Sequence, residues 1–129
     1  MVEMEAGREL DALVAEKVMG WVLNRHEFGS ELPGGPLKSL GIAPDGSHIM
    51  GLPHFSTNIS AAWEVVQSMI ERGYAFRIDS YWCRPLEIRF WSPKKGMHHK
   101  PFMAEAENLY RLPHAICLAA LKAMGVEED

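Results

Sequence analysis

Pro53-His54-Phe55-Ser56-Thr57-Asn58-Ile59-Ser60-Ala61-Ala62-Trp63-Glu64-Val65-Val66 reads as a turn, a helix cap and one face of an amphipathic helix. Ser56, Thr57 and Asn58 each offer a side-chain oxygen to the free N–H groups of a first helical turn, which predicts a start at Thr57 or Asn58. Ile59, Ala62, Trp63, Val66 and Ile70 then recur at helical spacing and form an apolar stripe that places Trp63 in the core. Arg72-Gly73 ends the helix, because glycine takes the left-handed position past a last turn without a Cβ clash.

Downstream, the period changes from helix to strand. Tyr74, Phe76, Ile78 and Ser80 alternate with Ala75, Arg77, Asp79 and Tyr81. Cys83-Arg84-Pro85 makes a turn. Leu86, Ile88, Phe90 and Ser92 then alternate with Glu87, Arg89 and Trp91, before a second turn at Pro93-Lys94-Lys95-Gly96. His99 to Ala106 reads as a third strand at a sheet edge, since Pro101 cannot donate to a ladder. A last helix begins around Leu112, with Pro113 suited to its first position. It has no polar side chain from Ala115 to Leu121, so it is buried all round, as a central core helix or as part of an oligomer interface.

Upstream, residues 8 to 22 read as a first helix. Leu10, Leu13, Val14, Val18, Trp21 and Val22 share one face; Glu9, Asp11, Glu16 and Lys17 lie off it. Between Asn24 and His54 the periodicity disappears into a Gly/Pro-rich loop, with one short strand near His48 to Leu52. The expected fold is α+β: a small antiparallel sheet of three to four strands with helices packed on both sides, in a single domain over residues 1–129.

The 129 residues can bury a core without disulfides or metals. A net charge of -4 argues against binding long nucleic acid. Cys83 and Cys117 match no metal or redox spacing and read as free thiols in a reducing compartment. Neither a signal peptide nor a membrane-spanning run is visible, which predicts a cytoplasmic protein without a membrane partner.

No catalytic signature is present: no phosphate loop, no Gly-x-Ser-x-Gly elbow and no His-Glu-x-x-His. No metal site or cofactor is expected. His54-Phe55-Ser56 has the His-x-Ser form of two-histidine phosphoesterases. Those enzymes carry two copies, and one stands here; the alternative is a turn residue and a helix cap.

The stronger chemical signal is a mixture of cations and aromatics in the C-terminal half. Arg77, Arg84, Arg89, Lys94, Lys95, His98, His99, Lys100 and Arg111 interleave with Tyr81, Trp82, Phe90, Trp91, Phe102 and Tyr110. Arginines bind phosphate, and aromatic faces stack on bases. The start of the last helix, flanked by Arg111 and His114, is a further place for an anion. The candidate ligand-binding residues are Arg84, Arg89, Phe90, Trp91, Arg111 and His114. On the competing reading this is a solvated sheet face, with Phe76, Ile78, Ile88 and Phe90 as ordinary core.

Three blocks carry a family resemblance: Leu13-Val14-Ala15-Glu16-Lys17-Val18-Met19-Gly20-Trp21, the Pro53–Val66 stretch, and Ala115-Ile116-Cys117-Leu118-Ala119-Ala120-Leu121-Lys122-Ala123. In this order they resemble the phage ABA-sandwich domain family. The resemblance implies helical layers around a small sheet and a phage protein acting in the host cytosol. Some phage proteins similar in size and block pattern are counter-defence sponges against bacterial immune systems of the Thoeris type. They hold cyclic nucleotide signals, such as cyclic ADP-ribose isomers, without cutting them, and often do so as homo-oligomers. The expectation is therefore a non-enzymatic homo-oligomer that sequesters a small phosphorylated ligand. The alternatives are a protein-interaction module that inhibits a host enzyme through the 24–54 loop, or a phosphodiesterase-like enzyme centred on His54.

Overall fold

The computed structural model describes residues 5–23, 41–49, 51–80, 82–93 and 101–125. Residues 24–40 of the expected loop, Tyr81, and the segment bearing Lys94, Lys95, His98, His99 and Lys100 lie outside them. The architecture is α+β, as expected: three helices among the described residues and two small antiparallel sheets.

Helix α1 (Arg8–Lys17) is shorter than the stripe over residues 8 to 22 suggested. Gly20 adopts φ 77°, and the Trp21 N–H donates back to the Ala15 carbonyl at 2.9 Å, so the chain reverses there. Trp21 instead packs edge-on against Phe55, with centroids 5.9 Å apart, and Val22 is exposed. Leu10, Val14 and Val18 are buried as expected. Asp11, expected off the apolar face, is wholly buried.

A small sheet follows, ordered β1 (Val22–Leu23), β2 (Gly41–Ile42), β3 (His48–Ile49). Part of the expected loop is thus a hairpin. Its turn is Ala43-Pro44-Asp45-Gly46-Ser47: the Gly46 N–H donates to the Ala43 carbonyl, and the Ala43 N–H to that of Ser47, both at 2.9 Å. Proline presets the first turn residue, and Gly46 at φ 90° takes the left-handed place that closes such a loop.

Helix α2 (Ile59–Glu71) begins where the capping chemistry predicted. Asn58 is the cap and its side chain accepts from the Ala61 N–H at 3.1 Å. Gly73 ends it at φ 95°. The buried face is Ala62, Val65, Val66 and Met69, rotated from the expected stripe. Trp63 is 45% exposed and Ile70 49%, which corrects the placement of Trp63 in the core. Its indole rests edge-on against Phe76, 6.1 Å away, at the flank of the helix.

The larger sheet is ordered β4 (Ala75–Asp79), β5 (Leu86–Trp91), β6 (Phe102–Ala106). The register aligns Phe76, Phe90 and Phe102 in one row and Ile78, Ile88 and Ala104 in another. These rows form the apolar face, which the helices cover; Ile88 and Phe90 are fully buried. Alternate residues form the other face, where Arg77, Arg89 and Met103 align, next to Asp79, Glu87 and Glu105.

Helix α3 (Leu112–Ala123) is the centre of the molecule. Every residue from Leu112 to Leu121 is buried, against β5 and β6 on one side and against α1 and α2 on others. Of the two places open to it from sequence, this one helix occupies the core of its own chain. Small alanines at 115, 119 and 120 let neighbouring elements approach closely, and each buried leucine or isoleucine contributes ~1.5–3 kcal/mol.

Candidate ligand-binding surface

The six residues singled out from sequence do not form one site. Arg89 and Phe90 are neighbours on β5 and so point to opposite faces. Phe90 is fully buried against Phe76, with centroids 4.9 Å apart, and belongs to the core. Arg89 lies on the outer face with its cation engaged: Nη1 donates to Asp79 Oδ2 at 2.8 Å and Nη2 to Glu87 Oε1. Arg77 donates from Nε to the other Asp79 oxygen at 2.8 Å. Two arginines and two carboxylates thus neutralise one another across this face. Trp91 stands opposite Ala75, at the far end of β5 from its opening turn.

Arg84, Arg111 and His114 remain, and the register brings the segments carrying them to one end of the sheet. Leu86, the first residue of β5, pairs with Ala106, the last of β6. The turn before Leu86 therefore stands beside the connection after Ala106. That turn presents Trp82, 92% exposed, with Arg84; the connection presents Leu109 and Tyr110, the latter 90% exposed, with Arg111. Cys83 between Trp82 and Arg84 has φ 60°, a left-handed conformation that is costly for a residue with a Cβ and makes this turn tight. Asn108 fixes the other segment: its side chain accepts from the Tyr110 N–H at 3.0 Å and caps a single 3-10 turn, Leu109–Arg111.

This end keeps Arg84, Arg111 and His114 of the six and adds the exposed aromatics Trp82 and Tyr110. Neither Arg84 nor Arg111 has an ion pair among the described residues, in contrast to Arg77 and Arg89. Helix α3 opens directly behind Arg111 without a side-chain cap, and His114 in its first turn is buried beneath. Exposed cations, aromatic faces and the positive end of a helix together suit an anion that also carries a flat ring. Trp82 and Tyr110 were within the broad cluster but not among the six. The signal that selects them is the Leu86–Ala106 pairing, a long-range fact.

A groove elsewhere on the molecule has the opposite sign. A groove of about 560 Å³ between the β2–β3 turn and α2 is lined by Met19, Trp21 and Pro44, and rimmed by Asp45, Glu64 and Glu71. No lysine or arginine lines it, so it repels a phosphate.

His54 and Ser56 prove to be parts of a latch. The Ser56 hydroxyl donates to Asp11 Oδ1 at 2.7 Å rather than to His54. His54 Nδ1 lies 3.0 Å from Arg8 Nη1; guanidinium only donates, so this nitrogen accepts. Arg8 also donates to Asp11 and to the Leu52 carbonyl, at 3.1 and 2.8 Å. The serine and histidine are thus held by different partners and do not form a nucleophile–base pair.

Among the described residues, no helix is long and apolar enough to cross a membrane. The family model of the phage ABA sandwich domain matches residues 12–121. The chain belongs to this family of phage proteins. No curated protein and no solved structure matches it.

Proposed function

We propose that this chain is a phage counter-defence protein that binds and sequesters a small cyclic nucleotide immune signal, a cyclic ADP-ribose isomer or a cyclic oligonucleotide, without cleaving it. It acts in the cytosol of the infected cell. The observation that carries the reading is that the strand register brings the segments bearing exposed Trp82 and Tyr110 to one end of the sheet, with Arg84 and Arg111, neither of which has an ion pair among the described residues. A phosphate bonded by Arg111 and a base stacked on Trp82 or Tyr110 use these groups together. Holding rather than cutting the ligand is supported by the separate engagements of His54 and Ser56.

The test is ligand depletion. Purified protein is mixed with a panel of cyclic nucleotides, filtered, and the filtrate quantified; the retained protein is then denatured and the released compound analysed. Retention with intact release is the expected result. An altered product would make the chain an enzyme, and no retention would move the function to a protein partner.

A further inference from the structure

The two edges of the larger sheet are treated differently. On the β6 edge one carbonyl is engaged by a side chain: Lys122 of α3 donates from Nζ to the Met103 carbonyl at 3.0 Å. On β4 no strand pairs with the outer edge among the described residues. Strand β4 reads Ala75-Phe76-Arg77-Ile78-Asp79, five residues without proline or glycine, and its two charged side chains, Arg77 and Asp79, are bonded to each other. Beside it runs the half-exposed side of α2, where Ile59, Trp63 and Ile70 fall on one stripe at spacings of four and seven. Trp63 touches Phe76 of β4, so the helical stripe and the open strand edge form one continuous surface.

We infer that this surface pairs with a second copy of the chain, through antiparallel association of β4 with its twin about a two-fold axis at Ile78. The charges favour one register. With Ile78 opposite itself, Arg77 of each copy stands across from Asp79 of the other, alongside the Arg77–Asp79 and Arg89–Asp79 bonds made within each chain. Centring on Arg77 would instead set two guanidinium groups against each other. The two-fold keeps both α2 helices on the same face of a continuous six-stranded sheet, where Trp63 and Ile70 of each copy flank the seam. A surface that matches itself in hydrogen bonding, charge and apolar content is what an isologous dimer needs.

Sedimentation velocity over micromolar to near-millimolar protein tests the association, and a charge reversal tests the register. Arg77→Asp sets like charges across the seam and should weaken the dimer at least about fivefold. Arg77→Ala removes the same intrachain bond to Asp79 without placing like charges across the seam, and should weaken the dimer less. Independently, Ile78→Cys in a Cys83→Ser background should give a disulfide-linked dimer under mild oxidation. A parent chain that stays monomeric throughout overturns the proposal. So does an Arg77→Asp variant that dimerises no more weakly than Arg77→Ala, or an Ile78→Cys variant that remains uncrosslinked while the parent dimerises. These readouts do not involve ligand, so they stand or fall separately from the depletion experiment.

Discussion

Ser56 gives both of its hydrogen-bond donors to one oxygen of Asp11: the backbone N–H at 2.8 Å and the hydroxyl at 2.7 Å. The two residues are 45 apart in sequence, so this carboxylate ties the start of α1 to the segment that leads into α2. Ser56 in turn accepts from the Gly7 N–H at 2.9 Å, and Arg8 covers the second carboxylate oxygen. Asp11 is wholly buried yet satisfied on both oxygens. Replacing it by alanine leaves the Ser56 N–H without its acceptor and the Arg8 cation without its counter-charge. Asp11→Ala should destabilise the protein by ~3 kcal/mol, and Ser56→Ala, which keeps the N–H bond, by ~1–2 kcal/mol. Urea unfolding of the two variants checks the order.

Close approach governs Gly41. A Cβ there would overlap the Val22 carbonyl oxygen and lie 2.8 Å from Leu23 Cα. These are backbone atoms of the paired strand and cannot swing aside. Gly41→Ala should therefore separate β1 from β2, at a cost of ~1–3 kcal/mol. Loss of amide protection in the β1–β2–β3 sheet, with protection kept in β5, is the expected hydrogen-exchange result.

Cys117 and Cys83 should differ sharply in reactivity. Burial pushes the Cys117 thiol well above its ordinary range, and the nearby Asp11 charge adds to the effect. Cys83 is exposed. Iodoacetamide should modify one cysteine in the native protein and two after unfolding, read by intact mass. The pH dependence follows from the same shift. In the unfolded chain the Cys117 thiol ionises near its ordinary pKa of about 8.5, while in the folded chain it stays protonated. The stabilisation is present below that pH and is lost progressively as pH rises above it. Cys117→Ala should flatten the alkaline part of the stability profile.

Local chemistry made much of this fold legible. The Asn58 cap, the Gly73 stop, the alternation in β4 and β5 and the all-apolar α3 are short-range signals, and the structure carries each at the expected residues. What escaped depends on partners far along the chain. Asp11 looks like a solvated face residue until Ser56 is brought to it. Trp63 fits a helical stripe, but the neighbours that decide which side of the stripe is covered come from β4 and α3. The hairpin turn at Ala43-Pro44-Asp45-Gly46 is visible as punctuation, yet two-residue strands leave no periodicity to frame it. At the candidate site, residue types were readable and grouping was not. Adjacent Arg89 and Phe90 part to opposite faces, whereas the segments carrying Arg84 and Arg111, far apart in sequence, are brought to one sheet end by strand pairing.

The rotation of α2 has a direct energetic consequence. Leu118 on α3 is 1% exposed and Trp63 45%. Truncating the first opens a cavity at the centre of the core, while truncating the second uncovers a ring already half in water. Leu118→Ala should cost ~2–5 kcal/mol, and Trp63→Ala only ~1 kcal/mol of monomer stability. Denaturation at dilute concentration separates this from any effect on self-association.

The two groups of arginines allow a sharper test of the binding surface than a single substitution. Arg89 already has Asp79 and Glu87 as partners, so Arg89→Ala should release those carboxylates, lower stability by ~1 kcal/mol and leave ligand retention unchanged. Arg111 has no such partner among the described residues, and Arg111→Ala should leave stability within ~0.5 kcal/mol of the parent. It should nevertheless weaken retention of a cyclic nucleotide by about tenfold or more, since a charged hydrogen bond is worth ~1.5–3 kcal/mol. Trp82→Ala and Tyr110→Ala should each weaken it by a similar or larger factor, through the ~1–3 kcal/mol of base stacking. Equilibrium dialysis of the four variants beside their unfolding curves gives the two columns needed. If Arg89 and not Arg111 governed retention, the ligand would sit on the outer sheet face, and the surface at the end of β5 and β6 would be the wrong one.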